Sequence, residues 1–342
     1  MMGMSKSFYP SDSFEFAQRK KDHIELTHQS KTAVSTVDDR FNYEPLFFQH
    51  PTENEIWSTN FLGFNLDFPV WVSSMTGGTA SAKTINENLA KLCGEFKLGM
   101  GLGSCRALLD SKERLSDFAV RKFLGNQPLL ANIGIAQLAE LLNSHNLHKL
   151  EEVIKAVEAD GLIIHINPLQ EWFQPGGDRF SLSPLVTLQR SLDKISYPVL
   201  VKEVGQGFGP KSLSALLELP IAGIEFGAYG GTNFTLLESL RGSESSSYRA
   251  PFINVGHTAS EMVEMINALP YRQKQFIISG GMNSPLDAFE LKTKLKAPSV
   301  IGMASAFLTP AQTSYDELRL HFLMMRESLL VARNLLELKD RP

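Results

Sequence analysis

Short runs of β-branched and aliphatic residues recur along the chain, most of them closing on Gly, Ser, Asn or a charged residue. In order they are Pro69–Ser74, Leu98–Gly103, Pro128–Ile133, Leu162–Asn167, Pro198–Lys202, Ile221–Phe226, Phe276–Gly280 and Ser299–Met303. Between them lie stretches such as Leu150–Ala159, Leu185–Ile195 and Ser260–Leu269, whose apolar residues fall at helical spacing. Strand, helix, strand at this interval implies parallel pairing with crossover helices. Eight such strands predict a (β/α)8 TIM barrel of the α/β class. A ninth run, Pro251–Val255, exceeds the barrel count and is read as part of a long loop after the sixth strand.

The pattern divides the chain into three parts. Residues 1–68 form an extension with little regular structure, 69–310 form the barrel, and 311–342 hold a C-terminal helix marked by the leucine spacing of Thr313–Leu338. Gly242–Tyr248 reads as a flexible surface loop by composition. A hydrophobic content of 43% with 20% charged residues is ordinary for a soluble protein with a sizeable core. The net charge of −4 argues against a nucleic-acid binder with a broad basic face. No apolar run approaches bilayer-crossing length, and Met1–Arg19 lacks the apolar core of a secretion signal, so the cytoplasm is the default expectation. Cys93 and Cys105 show neither metal-ligand spacing nor a disulfide framework.

The run His165-Ile-Asn-Pro-Leu-Gln-Glu171 is the richest in chemistry. On a strand, His165 and Asn167 point the same way, and Pro168 ends the ladder because it has no N–H to donate. Gln170 and Glu171 then fall just past the strand's C-terminal end, where barrels place their chemistry. Met75-Thr-Gly-Gly78, Gly103-Ser-Cys-Arg106, Asn132-Ile-Gly134 and Lys202-Glu203 end other strands and converge on the same rim. Ser279-Gly-Gly281 and Gly302-Met-Ala304 close the last two strands, the usual place for a phosphate cradle, and Gly230-Gly-Thr-Asn233 adds a hydroxyl. Glu171 with Gln170 offers hard oxygen ligands suited to Mg²⁺. Arg19-Lys-Lys-Asp-His23 is either a solvated charged face or an arm that folds over an anionic substrate.

Taken in order from residue 19 to about 308, these motifs resemble the type 2, flavin-dependent isopentenyl diphosphate isomerases. The resemblance implies an FMN-binding barrel that uses Mg²⁺ and reduced flavin, with NADPH as the reductant, to interconvert isopentenyl and dimethylallyl diphosphate. It implies that Met75, Thr76, Gly77, Ser104, Asn132, Lys202 and Thr232 hold FMN, with Gly280, Gly281, Met303 and Ala304 at its phosphate. Arg19, Lys20, His23, Arg106, His165, Asn167 and Gln170 would hold the diphosphate, and Glu171 the Mg²⁺. Gln170, Glu171, His165 and Lys202 are the candidate catalytic residues. A homo-oligomer, tetramer or octamer, is implied as well; the charge and the lack of a bilayer-length apolar run lead to the expectation of no nucleic-acid or membrane partner.

Three positions depart from that family's pattern. Asn283 stands where an arginine is usual, Gly227 stands where a small hydroxyl residue is usual, and Val255-Gly-His-Thr258 replaces a Trp-containing segment. Two other readings are carried forward. One is an FMN barrel that oxidises a hydroxy acid or a nucleotide, which needs a histidine base and a pair of carboxylate-binding arginines. The other is a flavin-binding protein without turnover, which has no need of diphosphate and Mg²⁺ ligands.

Overall fold

Eight parallel strands close on themselves in sequence order: β1 (Val70–Val72), β2 (Gly99–Gly101), β3 (Leu129–Gly134), β4 (Gly161–Ile166), β5 (Val199–Glu203), β6 (Gly223–Glu225), β7 (Gln275–Ser279) and β8 (Ser299–Met303). Ile301 of β8 pairs with Val70 of β1 and completes the barrel. The computed structural model describes residues 13–75, 77, 80–241, 249–270 and 273–339. The expected surface loop Gly242–Tyr248, and the motif residues Thr76 and Gly78, lie outside these. Among the described residues no helix is long and apolar enough to cross a membrane.

By Cα packing the chain divides into two compact units, residues 1–43 with 337–342, and residues 44–336. In the first, the helix Ser13–Leu26 carries Arg19, Lys20 and His23, all exposed. A two-stranded sheet of Phe41–Tyr43 and Leu336–Leu338 follows, where Lys339 donates its backbone N–H to the Arg40 carbonyl at 2.9 Å. This corrects the expectation of little regular structure before the barrel. So does the hairpin Thr59–Phe61 and Phe64–Leu66 in the second unit. Its two-residue turn places Leu62 and Gly63 at φ 54° and 85°, the left-handed pair that matches strand twist.

The barrel interior is layered, because inward side chains recur every second residue. The lower layer is dry: Trp71, Leu130, Ile163, Leu200, Ile277 and Val300 pack together, joined by Phe61 and Leu66 of the hairpin. Fully burying a side chain of this size contributes roughly 1.5–3 kcal/mol. Two residues further along β3, β4, β5 and β7 stand Asn132, His165, Lys202 and Ser279. Glu225 of β6 pairs in register with Lys202. The interior thus turns from apolar to polar along the barrel axis.

Outside, the crossover helices begin where the sequence supplies caps. Ser284 and Thr258 form capping boxes with Asp287 and Glu261 for Pro285–Lys294 and Ala259–Asn267. The ninth apolar run lies outside the barrel, between β6 and β7, as expected; the connection is not all loop there, because Ala250–Ile253 forms a short helix. The tail is the helix Tyr315–Leu335.

Helix Ala80–Phe96 packs against the short helix Arg121–Leu124 so closely that Gly94 has no room for a side chain. A Cβ there would sit 2.3 Å from the Phe123 carbonyl oxygen. Helix propensity favours Gly94→Ala by about 1 kcal/mol, but the contact is backbone and cannot swing away. Urea denaturation of Gly94→Ala is expected to show a loss of about 1–3 kcal/mol. A gain would mean that the helices separate freely.

Candidate active site

The polar layer is a chain of paired groups. Lys202 donates from Nζ to Glu225 Oε1 at 2.8 Å, and Ser279 Oγ donates to the same oxygen at 3.3 Å. Ser279 Oγ in turn accepts the Gly227 N–H at 3.0 Å. On the neighbouring strands, His165 Nδ1 lies 2.8 Å from Asn132 Oδ1. Asn132 directs its Nδ2 to the Leu102 carbonyl at 3.1 Å, so its Oδ1 is the acceptor toward His165. Nδ1 therefore carries the proton and Nε2 keeps a lone pair. Burial, and then the nearby Lys202 charge, push His165 down to about 4, so the imidazole is neutral at pH 7.

Beyond β4, Asn167 precedes the helix Pro168–Phe173, with Pro168 at its first position. Asn167 Nδ2 donates to Gln170 Oε1 at 3.0 Å and to Glu171 Oε1 at 2.9 Å. The other Glu171 oxygen accepts the Asp178 N–H at 2.8 Å. Glu171 is thereby fixed with lone pairs to spare, beside a buried Asn167 Oδ1 that has no partner. The Asp178 carboxylate collects Gln137 Nε2 at 2.7 Å and Arg106 at 3.0 Å.

A cavity of about 220 Å³ is lined by Ser104, Arg106, Asn132, Gln137, His165, Asn167, Gln170 and Glu171, among others. A second cavity of about 570 Å³ adjoins it, sharing Ser74, Met75, Lys202, Val204 and Phe234. Its wall holds Thr232, Gly280, Gly281, Met303, Ala304 and the start of the helix Ser305–Thr313. Gly280 and Gly281 have φ of 90° and 70°, and a Cβ on Gly231 would lie 3.0 Å from the Gly280 Cα. Only glycine lets these loops approach so closely. Ser73 and Ser74 line this space, and their buried hydroxyls have no partner.

Most of the residues singled out from the sequence meet at these two cavities. Gly77 lines neither, and a Cβ there would sit 2.9 Å from the Ser104 carbonyl oxygen. Thr76 is outside the described residues. Arg19, Lys20 and His23 belong to the first unit. Gln137, Asp178 and Glu225 carry no motif of their own; only Glu225, a charge inside an apolar strand, signals that it needs a buried cation. Both cysteines are free and buried, and burial pushes Cys105 up to about 12 and Cys93 higher still. Among the described residues no group of three His, Cys, Asp or Glu side chains is arranged to hold a metal.

No family model matches the chain. Among curated proteins, the isopentenyl-diphosphate delta-isomerase of Rickettsia peacockii (strain Rustic) is 34% identical over 325 residues, covering 92% of each chain. That of Cronobacter sakazakii is 34% identical over 328 residues, covering 93% of this chain and 92% of its own. Among solved structures, the flavin-binding domain of baker's yeast flavocytochrome b2 superposes with a TM-score of 0.57 at 13% identity, covering 86% of this chain and 72% of that one. A mandelate oxidase variant with benzaldehyde gives 0.58 at 12%, covering 88% and 87%. At such identities the likeness concerns the barrel fold alone. The relatives match over nearly their whole length, and the chain belongs to the isopentenyl-diphosphate delta-isomerase family, in its type 2, barrel form.

Proposed function

We propose that this barrel interconverts isopentenyl and dimethylallyl diphosphate, with FMN in the larger cavity and the diphosphate with Mg²⁺ in the smaller. The observation that carries the reading is the pair of adjoining cavities with one lysine in their common wall. One is built from glycine loops and a helix N-terminus, which suit a phosphate. The other is built from amides, a carboxylate and Arg106, which suit a metal-bound diphosphate. The unpartnered hydroxyls of Ser73 and Ser74 fit a polar cofactor ring, and the oriented Glu171 fits Mg²⁺ completed by water and substrate oxygens. The resemblance also assigns Arg19, Lys20 and His23 to the diphosphate, NADPH as reductant and a homo-oligomer; the cytoplasm is the default setting read from composition.

Moving the double bond requires a proton added at one carbon and removed at another. Bound in its reduced form, FMN supplies the proton transfer and electron density that no ordinary side chain offers to an unactivated alkene. The chain's own residues do the rest. Arg106 and the Asn167–Gln170 amides anchor the diphosphate end, with Glu171 as the ligand that would hold its Mg²⁺, so binding energy gained there positions a hydrocarbon that offers no handle of its own. Lys202 holds positive charge in the shared wall. Neutral His165 presents a lone pair without adding a cation where positive charge develops.

An FMN-dependent hydroxy-acid oxidase needs an arginine pair, and of the described residues lining the two cavities Arg106 is the one arginine. Without oxygen, protein supplied with FMN, NADPH, Mg²⁺ and isopentenyl diphosphate is expected to form dimethylallyl diphosphate with no stoichiometric loss of NADPH. Net reduction of the flavin by an organic substrate would favour the oxidoreductase reading, and FMN binding without conversion the silent flavoprotein.

Glu171→Gln is expected to lower kcat on the order of 10²–10³-fold, while FMN fluorescence titration gives a dissociation constant within about twofold of wild type. Wild-type turnover in Glu171→Gln would move the metal elsewhere. His165 gives a pH test. Its folded value, about 4, lies below the unfolded value near 6.5, so the unfolded chain takes the proton first. Stability is then lost as pH falls from about 6.5 to 4, by about 2–3 kcal/mol. In urea melts of the free protein, His165→Asn should flatten that part of the curve; an unchanged slope would mean the ring protonates freely in the fold.

A further inference from the structure

We infer that Glu225 is a positioning residue that holds the Lys202 ammonium in the wall shared by the two cavities, and thereby sets how strongly this barrel favours reduced over oxidised FMN. The inference rests on the FMN reading above and deepens it, since Glu225 itself lines neither cavity.

The geometry is specific. Glu225 is 0% exposed and sits beside Lys202 in the strand register, so the backbone fixes the separation of the two side chains. Its Oε1 takes both Lys202 Nζ, at 2.8 Å, and Ser279 Oγ, at 3.3 Å. Its Oε2 is buried without a partner, so no other donor draws the carboxylate away from the lysine. Lysine is a point charge on a flexible four-carbon stem and does not hold one position unaided. Among the described residues lining either cavity, Lys202 is the one lysine.

The charge consequence has a definite sign. The ion pair is neutral as a whole, and reduction of FMN brings negative charge to its neighbourhood. Removing the carboxylate charge leaves Lys202 uncompensated and favours the reduced cofactor. Shortening the side chain keeps the charge but lets the ammonium drift. A merely structural Glu225 would weaken FMN binding without changing the balance between its two redox states.

Potentiometric titration of the FMN-loaded protein tests this. Glu225→Gln is expected to raise the ratio of reduced to oxidised FMN affinity about tenfold, a midpoint potential about 30 mV more positive. Glu225→Asp is expected to keep that ratio within about twofold, while kcat falls at least about fivefold and KM for isopentenyl diphosphate stays within about twofold. An unshifted potential in Glu225→Gln, or wild-type kcat in Glu225→Asp, would overturn the assignment. If Glu225→Gln does not fold, the split between potential and kcat in Glu225→Asp decides alone. A wild-type protein that takes up no FMN overturns the cofactor reading itself, before any variant is made.

Discussion

The site depends on one buried ion pair, Lys202 with Glu225, placed where the barrel interior changes from apolar to polar. Desolvating two charges is costly, and a well-packed apolar pair in the same place is often as stable or more so. Stability therefore does not explain the pair, whereas breaking it would leave a buried charge alone. The fold invests further structure in holding it. Glu203, the next residue on β5, takes four backbone N–H groups on a single oxygen, those of Val204, Gly205, Gln206 and Gly207, at 2.6–3.0 Å. The chain just after Lys202 is pinned by that carboxylate while its ammonium is pinned by Glu225.

The electrostatics of the smaller cavity follow from the pair. Lys202 adds to the burial that keeps His165 neutral, and Asn132 selects the tautomer. Asp178 ties Arg106, Gln137 and Glu171 into one network, so in the free chain most of these polar groups are satisfied by one another. The links differ in strength. The Arg106–Asp178 contact is partly exposed, with side chains 55% and 32% accessible, and such pairs contribute only about 0–1 kcal/mol. An anion that drew Arg106 away from Asp178 would therefore do so at small cost, while Lys202 is held by a buried partner.

Much of this was legible in the sequence, for reasons of periodicity. The eight apolar runs are buried strands, and the period of two places His165 and Asn167 on one side of β4. Proline and glycine at strand ends mark where the polar residues emerge. The partner of Glu225 was not legible because it lies 23 residues away on another strand, and register is a property of the closed barrel. The helix Ser13–Leu26 was missed because its polar residues leave no one-sided apolar stripe. The hairpin was missed because its turn is Leu62-Gly63, without the Asn-Gly or Asp-Gly signature. Gln137 and Asp178 look like any helix glutamine or loop aspartate until the fold brings them together.

Two of the departures from the family's pattern, Asn283 and Gly227, have different physical meanings. Asn283 gives its backbone N–H to the Asp287 carboxylate of the capping box that starts Pro285–Lys294, and it still lines the larger cavity. Losing an arginine there removes a charge but leaves the glycine loops and the Ser305–Thr313 N-terminus as donors for a phosphate. Gly227 is more constrained. Its φ is 50°, and a Cβ would sit 1.9 Å from the Glu203 carbonyl oxygen, so no hydroxyl-bearing side chain fits this backbone. What the position supplies instead is its N–H, donated to Ser279, whose hydroxyl points on to Glu225. The glycine is therefore part of the support for the buried pair: the backbone path that excludes a side chain at 227 is the one that delivers Ser279 to the carboxylate holding Lys202.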